Sequence, residues 1–197
     1  AGVDEVGRGP LFGPVVAAAV ILPRGCRLHG LNDSKKLTEK KRNELDLEIR
    51  ASAVAWAVAQ VDAETIDRIN IRMASLEAMR RAVLQLALSP DFLLVDGRDT
   101  IDWLGPQQAI IHGDGLSFSI AAASVLAKVT RDRLMRDYDR EFPGYGFAAH
   151  KGYPTPQHYA AIKKLGACAI HRKSFSPFKP TEPDLFDHVA AAAPARE

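Results

Sequence analysis

Three places in this 197-residue chain set carboxylates where a buried strand is expected to end. They are Asp4-Glu5 in the run from residue 2 to 6, Asp96 directly after Phe92-Leu93-Leu94-Val95, and Asp114 in His112-Gly113-Asp114-Gly115, which follows Ile110-Ile111. Acids at the ends of separate strands can converge on one pocket, and carboxylates crowded together desolvate and repel one another unless divalent cations neutralise them. An all-oxygen donor set with no cysteine selects hard cations, magnesium or manganese, over zinc. Two such ions ~4 Å apart would clamp the attacking water and the leaving oxygen of a phosphodiester. A plainer alternative stands beside this one. Asp96-Gly97 and Asp114-Gly115 are also dipeptides of tight turns. Asp4 and Glu5, as neighbours in a regular strand, are expected on opposite faces, so both reach one site only if the strand twists or bulges, or if Glu5 binds a second ion from the side.

The elements that would position these acids follow from the hydrophobic pattern. Residues 2–6 and 15–22 read as two buried strands joined by Gly7-Arg8-Gly9-Pro10-Leu11-Phe12-Gly13-Pro14. Residues 52–61 supply a third, where Val54, Trp56 and Val58 alternate with alanines, bulk on one face and small side chains on the other. Residues 92–95 and 109–111 are continuous apolar runs of the kind found in central or parallel strands. Helices are predicted over residues 38–49 behind a Thr38 cap, along Met73, Leu76, Met79, Val83 and Leu86, along Phe118, Ala121, Val125 and Val129, and over residues 155–165. Ser124, Lys128 and Arg131 share a face of the third of these, with Lys128 either structural or close to a phosphate. The order predicts a mixed α/β domain with a small helical C-terminal part, spanning residues 1–182, and an Ala/Pro-rich tail over 183–197 that is expected to fray.

Composition narrows the class. With 47% hydrophobic and 25% charged residues, the chain has the make-up of a globular protein rather than a disordered one. Cys26 and Cys168 lie far apart without ligand spacing, which argues against a disulfide framework or structural zinc and fits a reducing, cytoplasmic setting. The apolar runs are too short for a transmembrane span and lack the flanks of a signal peptide. The sequence opens on Ala1 rather than methionine, so upstream residues are expected. Net charge is only +2, but residues 142–181 contain no Asp or Glu, while Lys151, Lys163, Lys164, Arg172, Lys173 and Lys179 fall there, interleaved with His150, His158, His171, Tyr145, Tyr153 and Tyr159. Such a stretch is either a polyanion-facing surface or an ordinary solvated basic face.

Several long strings, in order, resemble one family. Ala1-Gly2-Val3-Asp4-Glu5-Val6-Gly7-Arg8-Gly9-Pro10, Leu31-Asn32-Asp33-Ser34-Lys35-Lys36-Leu37, Val95-Asp96-Gly97, Gly113-Asp114, Ala122-Ala123-Ser124-Val125-Leu126-Ala127-Lys128-Val129-Thr130-Arg131-Asp132 and His150-Lys151-Gly152-Tyr153-Pro154-Thr155 together look like bacterial ribonuclease HII, of the type 2 ribonuclease H family. The likeness runs in register to about Lys179. It implies an RNase H-like fold, a five-stranded mixed sheet flanked by helices, with a C-terminal helical element beside the substrate groove. It further implies an endonuclease that cuts the RNA strand of RNA/DNA hybrids and nicks 5′ to single ribonucleotides in duplex DNA, leaving a 3′-hydroxyl, with two magnesium or manganese ions, as a monomer.

Residue by residue, the family's four acids match Asp4, Glu5, Asp96 and Asp114. Its Gly-Arg-Gly motif matches Gly7, Arg8 and Gly9, its substrate-sensing tyrosine matches Tyr153, and its phosphate-holding positions match Asn32, Ser34 and Lys35. One departure is His112, where the family commonly has lysine; a neutral imidazole attracts phosphate weakly, and no role is carried over to it. A Gly-Arg-Gly turn is equally a tight strand-to-strand connection with an exposed arginine, and a tyrosine in Tyr153's setting is equally a rim aromatic. The alternatives are a ribonuclease HIII-like enzyme, a non-catalytic nucleic-acid-binding module, and a metal-dependent phosphotransferase. The absence of G-x-x-x-x-G-K-[ST] counts against the P-loop form of the last.

Overall fold

The computed structural model describes residues 1–178; the end of the expected domain from 179 and the expected tail over 183–197 lie outside the described residues. Five strands, β1 (Gly2–Val6), β2 (Val15–Ile21), β3 (Ala55–Val61), β4 (Leu93–Asp96) and β5 (Gln107–Ile110), form one sheet in the order β3-β2-β1-β4-β5. The first three are antiparallel neighbours, while β4 and β5 add in parallel on the other side of β1, so the expected five-stranded mixed sheet is present. Helices α1 (Glu39–Ser52), α2 (Ala63–Ile69), α3 (Ile71–Leu84), α4 (Gly113–Leu116), α5 (Phe118–Glu141), α6 (Phe147–His150) and α7 (Pro156–Leu165) complete the fold.

β2 is buried on both faces, which is why it reads as an unbroken apolar run. Its Val15, Ala17 and Ala19 pack with Ala74, Ala78, Met79 and Ala82 of α3, and its Ala18 and Val20 pack with Leu45 and Ile49 of α1 and Ala122, Val125 and Leu126 of α5. The small side chains let α5 lie close along β1. A Cβ on Gly2 would stand 2.1 Å from the carbonyl carbon of Ser119, and one on Gly7 would stand 2.3 Å from Nε of Arg131. Helix and strand therefore run side by side, with Ser119 beneath Gly2 and Arg131 beneath Gly7. Polar caps set the helix starts: Thr38, Asp62, Asn70, Ser117 and Thr155 each accept a first-turn amide, and Pro156 opens α7.

Several sequence-based expectations shift. α1 runs on to Ser52, so β3 starts at Ala55, and β5 starts at Gln107, where the Gln107 amide is tied to the Ile101 backbone. The buried stripe of α3 is Ala74, Ala78, Met79, Ala82 and Val83, while Met73 is 46% exposed; close approach to the alanine face of the sheet favours small residues over large ones. The third cluster, outside the sheet, is aromatic. Phe12 stacks on Phe147 at 3.7 Å between ring centroids, and Tyr145 stacks on Phe147 at 5.1 Å.

Candidate active site

β1 and β4 pair only at Gly2↔Leu94 and Val3↔Val95. Beyond that register the two parallel strands part at their carboxyl ends, beside the strand from which the chain departs in both directions across the sheet; open α/β sheets place their crevices at such points. Asp4 and Asp96 would be the next pair, and they stand across this opening. Asp4 lies opposite Ala18, whose side chain meets α5, and Glu5 lies opposite Ala17, whose side chain meets α3. The neighbours thus do face opposite sides, as strand geometry requires, yet the gap lets both lean over the strand end. One oxygen each of Asp4, Glu5 and Asp96 lie within 4.8 Å of one another.

Local contacts fix each carboxylate. Asp4 Oδ1 accepts the Glu5 amide at 2.7 Å, and the Ser124 hydroxyl of α5 reaches the same side chain. Arg8 Nη1 lies 3.4 Å from Glu5 Oε1. Asp114 is not at a strand end as expected; it sits in the single turn α4, entered through His112 in the left-handed region at φ 57°. Its amide donates to Asp96 Oδ1 at 3.3 Å, while its Oδ2 lies 3.8 Å from Lys35 Nζ. Gly113 allows this approach, since a Cβ there would meet Ile120 at 2.5 Å and Asp96 Oδ1 at 3.2 Å.

The electrostatics are those of a site short of positive charge. Burial, then the charges of Glu5 and Asp96, hold the Asp4 carboxyl well above its ordinary pKa, against smaller help from Ser124 and the Glu5 amide. Burial also raises Glu5, with Arg8 opposing and Asp96 adding to the rise. Asp114 is raised by burial and by Asp33 and Asp96, with Lys35 opposing. Oxygen donors that are rigidly held, crowded and destabilised as anions fit a hard divalent cation, whose charge removes both the repulsion and the desolvation cost.

The remaining expected residues distribute around this centre. Asn32 is exposed and lines a cavity of about 190 Å³ with Asp114, Gly115 and Ser117. Lys35 is exposed, whereas Ser34 is buried with its hydroxyl paired to Ser124 at 2.8 Å, two side chains from Asp4 rather than open to solvent. Gly7, Arg8 and Gly9 follow β1 directly, and a Cβ on Gly9 would stand 3.7 Å from Cε1 of Tyr153, so turn and tyrosine adjoin. The basic C-terminal stretch is only partly a surface. Lys163, Lys164 and Lys173 are exposed, but Tyr145, His158, His171 and Arg172 are buried, and Arg172 is fully so. Lys128 is engaged by Asp132 at 2.8 Å.

Sequence reasoning passed over Ser75. Its hydroxyl, on the buried face of α3, has no hydrogen-bond partner among the described residues, and it lines a cavity of about 20 Å³ with Glu5, Arg8 and Asp96. That is room for about one water. The available signal was a serine inside an alanine stripe, which is common in helices packed closely and so carries little information by itself.

A family model described as Ribonuclease HII matches residues 1–177. A ribonuclease HII of Geotalea uraniireducens is 62% identical over 175 residues, covering 89% of this chain and 81% of the relative. One of Geobacter metallireducens is 59% identical over 190 residues, covering 96% and 86%. Among solved structures, ribonuclease H2 from Pyrococcus horikoshii superposes with a TM-score of 0.77 at 28% identity, covering 90% of this chain and 93% of that one.

Proposed function

Because the chain belongs to the ribonuclease HII family, metal-dependent endoribonucleases on an RNase H-like fold, we propose that it hydrolyses the RNA strand of RNA/DNA hybrids and nicks duplex DNA 5′ to single embedded ribonucleotides, leaving a 3′-hydroxyl. The observation that carries this reading is the convergence of Asp4, Glu5 and Asp96 within 4.8 Å at the parted ends of β1 and β4. Asp4, Glu5, Asp96 and Asp114 would hold two magnesium or manganese ions. When bound, such ions supply the charge that eases deprotonation of an attacking water and stabilises the departing 3′ oxygen.

The protein's own residues orient the substrate. Lys35 brings an exposed ammonium beside Asp114, and with Asn32 it offers a substrate phosphate a charge and a donor. Ser34 acts through Ser124 on Asp4, since its hydroxyl is committed inward. The 2′-hydroxyl is what separates RNA from DNA chemically, and the Gly7-Arg8-Gly9 turn with the adjacent Tyr153 ring offers amides, a hydroxyl and an apolar surface to a pair of sugars. Contacts of this kind carry no base information, so cleavage is independent of sequence. The cytoplasmic setting, with Cys26 and Cys168 as free thiols, and action as a monomer belong to the same reading; no helix among the described residues is long and apolar enough to cross a membrane.

The direct test is a duplex carrying one ribonucleotide, incubated with the protein in magnesium, in manganese and in chelator. A 3′-hydroxyl nick 5′ to the ribonucleotide, present with either ion and absent with chelator, is expected; binding without cleavage in all three would establish a non-catalytic module instead. The exposed Lys163, Lys164 and Lys173 should add sequence-independent affinity by displacing counterions from phosphates. Replacing all three with glutamine should reduce the slope of log K against log salt by about 2–3, near 0.9 per lost phosphate contact. An unchanged slope would show that this face does not meet the duplex. Arg172 is left out of that set because it is buried.

A further inference from the structure

Arg172 carries a guanidinium with no solvent exposure and no carboxylate within salt-bridge distance among the described residues. Burying such a charge is costly unless its donors are satisfied, and the satisfaction here comes wholly from main-chain carbonyls of one loop. Nη2 donates to Gly7 O at 2.6 Å, Nη1 to Arg8 O at 2.9 Å and Pro10 O at 2.8 Å, and Nε to Gly13 O at 2.9 Å. A second buried arginine, Arg131 of α5, donates to Phe12 O, Pro14 O and Lys151 O at 3.0–3.2 Å. Between them the two guanidiniums take the carbonyls of Gly7, Arg8, Pro10, Phe12, Gly13 and Pro14, while the amides of Arg8 and Gly9 donate to nothing among the described residues.

The segment that delivers Arg172 is itself fixed. Its amide donates to Leu11 O at 2.8 Å, and Gly13 donates to Ile170 O at 3.1 Å, so it lies beside the loop as a strand would. The preceding His171 begins a chain of neutral imidazoles. The Cys168 amide donates to His171 Nδ1 at 3.0 Å, leaving Nε2–H to donate to His158 Nε2 at 3.1 Å and His158 Nδ1–H to donate to Tyr153 O at 3.0 Å. Consecutive residues thus reach both halves of one surface: Arg172 holds the turn, and His171, through His158, holds the backbone of Tyr153.

We infer that Arg172 is a positioning residue for ribonucleotide recognition: its fork holds the Gly7 and Arg8 carbonyls inward and so fixes the Gly7-Arg8-Gly9 turn in a shape whose Arg8 and Gly9 amides are left to a ligand beside Tyr153. The inference rests on the reading that this turn and tyrosine sense the sugar. Lysine cannot replace the arginine, because one ammonium with three donors on a flexible stem cannot span carbonyls from four residues. The ligand is a ribose 2′-oxygen accepting from an amide, and a pre-formed donor costs less to engage than one that must be ordered on binding.

The test compares binding of a duplex with one ribonucleotide and the same duplex all in DNA, in the Asp4→Asn background so that nothing is cut. With Arg172 intact, tighter binding of the ribonucleotide duplex is expected. Arg172→Lys should bring that preference down about tenfold, the order of one or two hydrogen bonds, with affinity for the all-DNA duplex unchanged. If the Asp4→Asn protein itself shows no preference, the sugar-sensing reading fails; if it does and folded Arg172→Lys keeps the same preference, the positioning role fails. Should Arg172→Lys not fold, the unaltered chain decides. Backbone amide relaxation at Arg8 and Gly9 should be as restricted in the free protein as in the complex, and a turn that is mobile until duplex binds would overturn the inference.

Discussion

Asp4→Asn is expected to abolish cleavage while making the metal-free protein more stable. The side chain stands beside Glu5 and Asp96 on the central strand, and the Ser124 hydroxyl, the Glu5 amide and the charge of Lys35 only partly offset its burial and their repulsion. If Asp4 helps hold the ions as proposed, its loss removes transition-state stabilisation of several kcal/mol, so the rate should fall about 10²–10³-fold or more. An asparagine keeps the acceptor for the Glu5 amide and sheds the buried charge, so without metal the folded state gains. The sign of the pH dependence follows. Asp4 binds its proton more tightly folded than unfolded, so between its unfolded pKa and its raised folded value the native state holds more protons, and in chelator stability should decline as pH rises through that window. Asp4→Asn should flatten that decline. Thermal melts in chelator and single-turnover cleavage in saturating magnesium measure the two effects; full activity, or a lower melting temperature in chelator, would contradict the assignment.

Tyr153 should matter most where a lone ribonucleotide must be found in DNA. Tyr153 is 38% exposed, its ring adjoins Gly9, and its backbone is held by His150 and His158, so its position is set. Tyr153→Phe keeps the ring and loses the hydroxyl, and nicking of a single-ribonucleotide duplex should fall about tenfold, the value of one hydrogen bond. Tyr153→Ala loses the packing as well and lets the sugar shift, which should cost about 10²-fold. Cleavage of an all-RNA/DNA hybrid, where every sugar carries a 2′-hydroxyl and register is less critical, should fall less. Equal losses on both substrates together with a lowered melting temperature would make the tyrosine a packing residue.

The local pattern was enough for the acids' identities and the strands beneath them. Leu93–Asp96 is a short apolar run ending in a carboxylate, Gly2–Val6 carries Asp4 and Glu5 inside its own short run, and the alternating alanines of β3 announced a sheet face packed closely. Asp114 was legible as a site residue but not as a helical one, because His112-Gly113-Asp114-Gly115 has the composition of a turn and becomes helical only where α5 and Asp96 receive it. The basic stretch misled in one respect. Charge and spacing say nothing about direction, and Arg172, which looked like a phosphate contact, instead turns inward to four carbonyls.

What the sequence determined by itself was chemistry: oxygen donors without thiolates, glycines flanking an arginine after a buried strand, and a tyrosine in an acid-free stretch. Types and spacings along one strand or helix are short-range properties, and the physics of propensity and burial reads them directly. The tertiary structure decided convergence and direction. Adjacent Asp4 and Glu5 belong to opposite faces and meet only because β1 and β4 cease to pair after Val3↔Val95. The Gly7 and Arg8 carbonyls of the turn take their donors from Arg172, an arginine 165 residues from Gly7 in the chain. Both depend on contacts between segments remote in sequence, and no local pattern encodes which buried carbonyl a distant guanidinium will find.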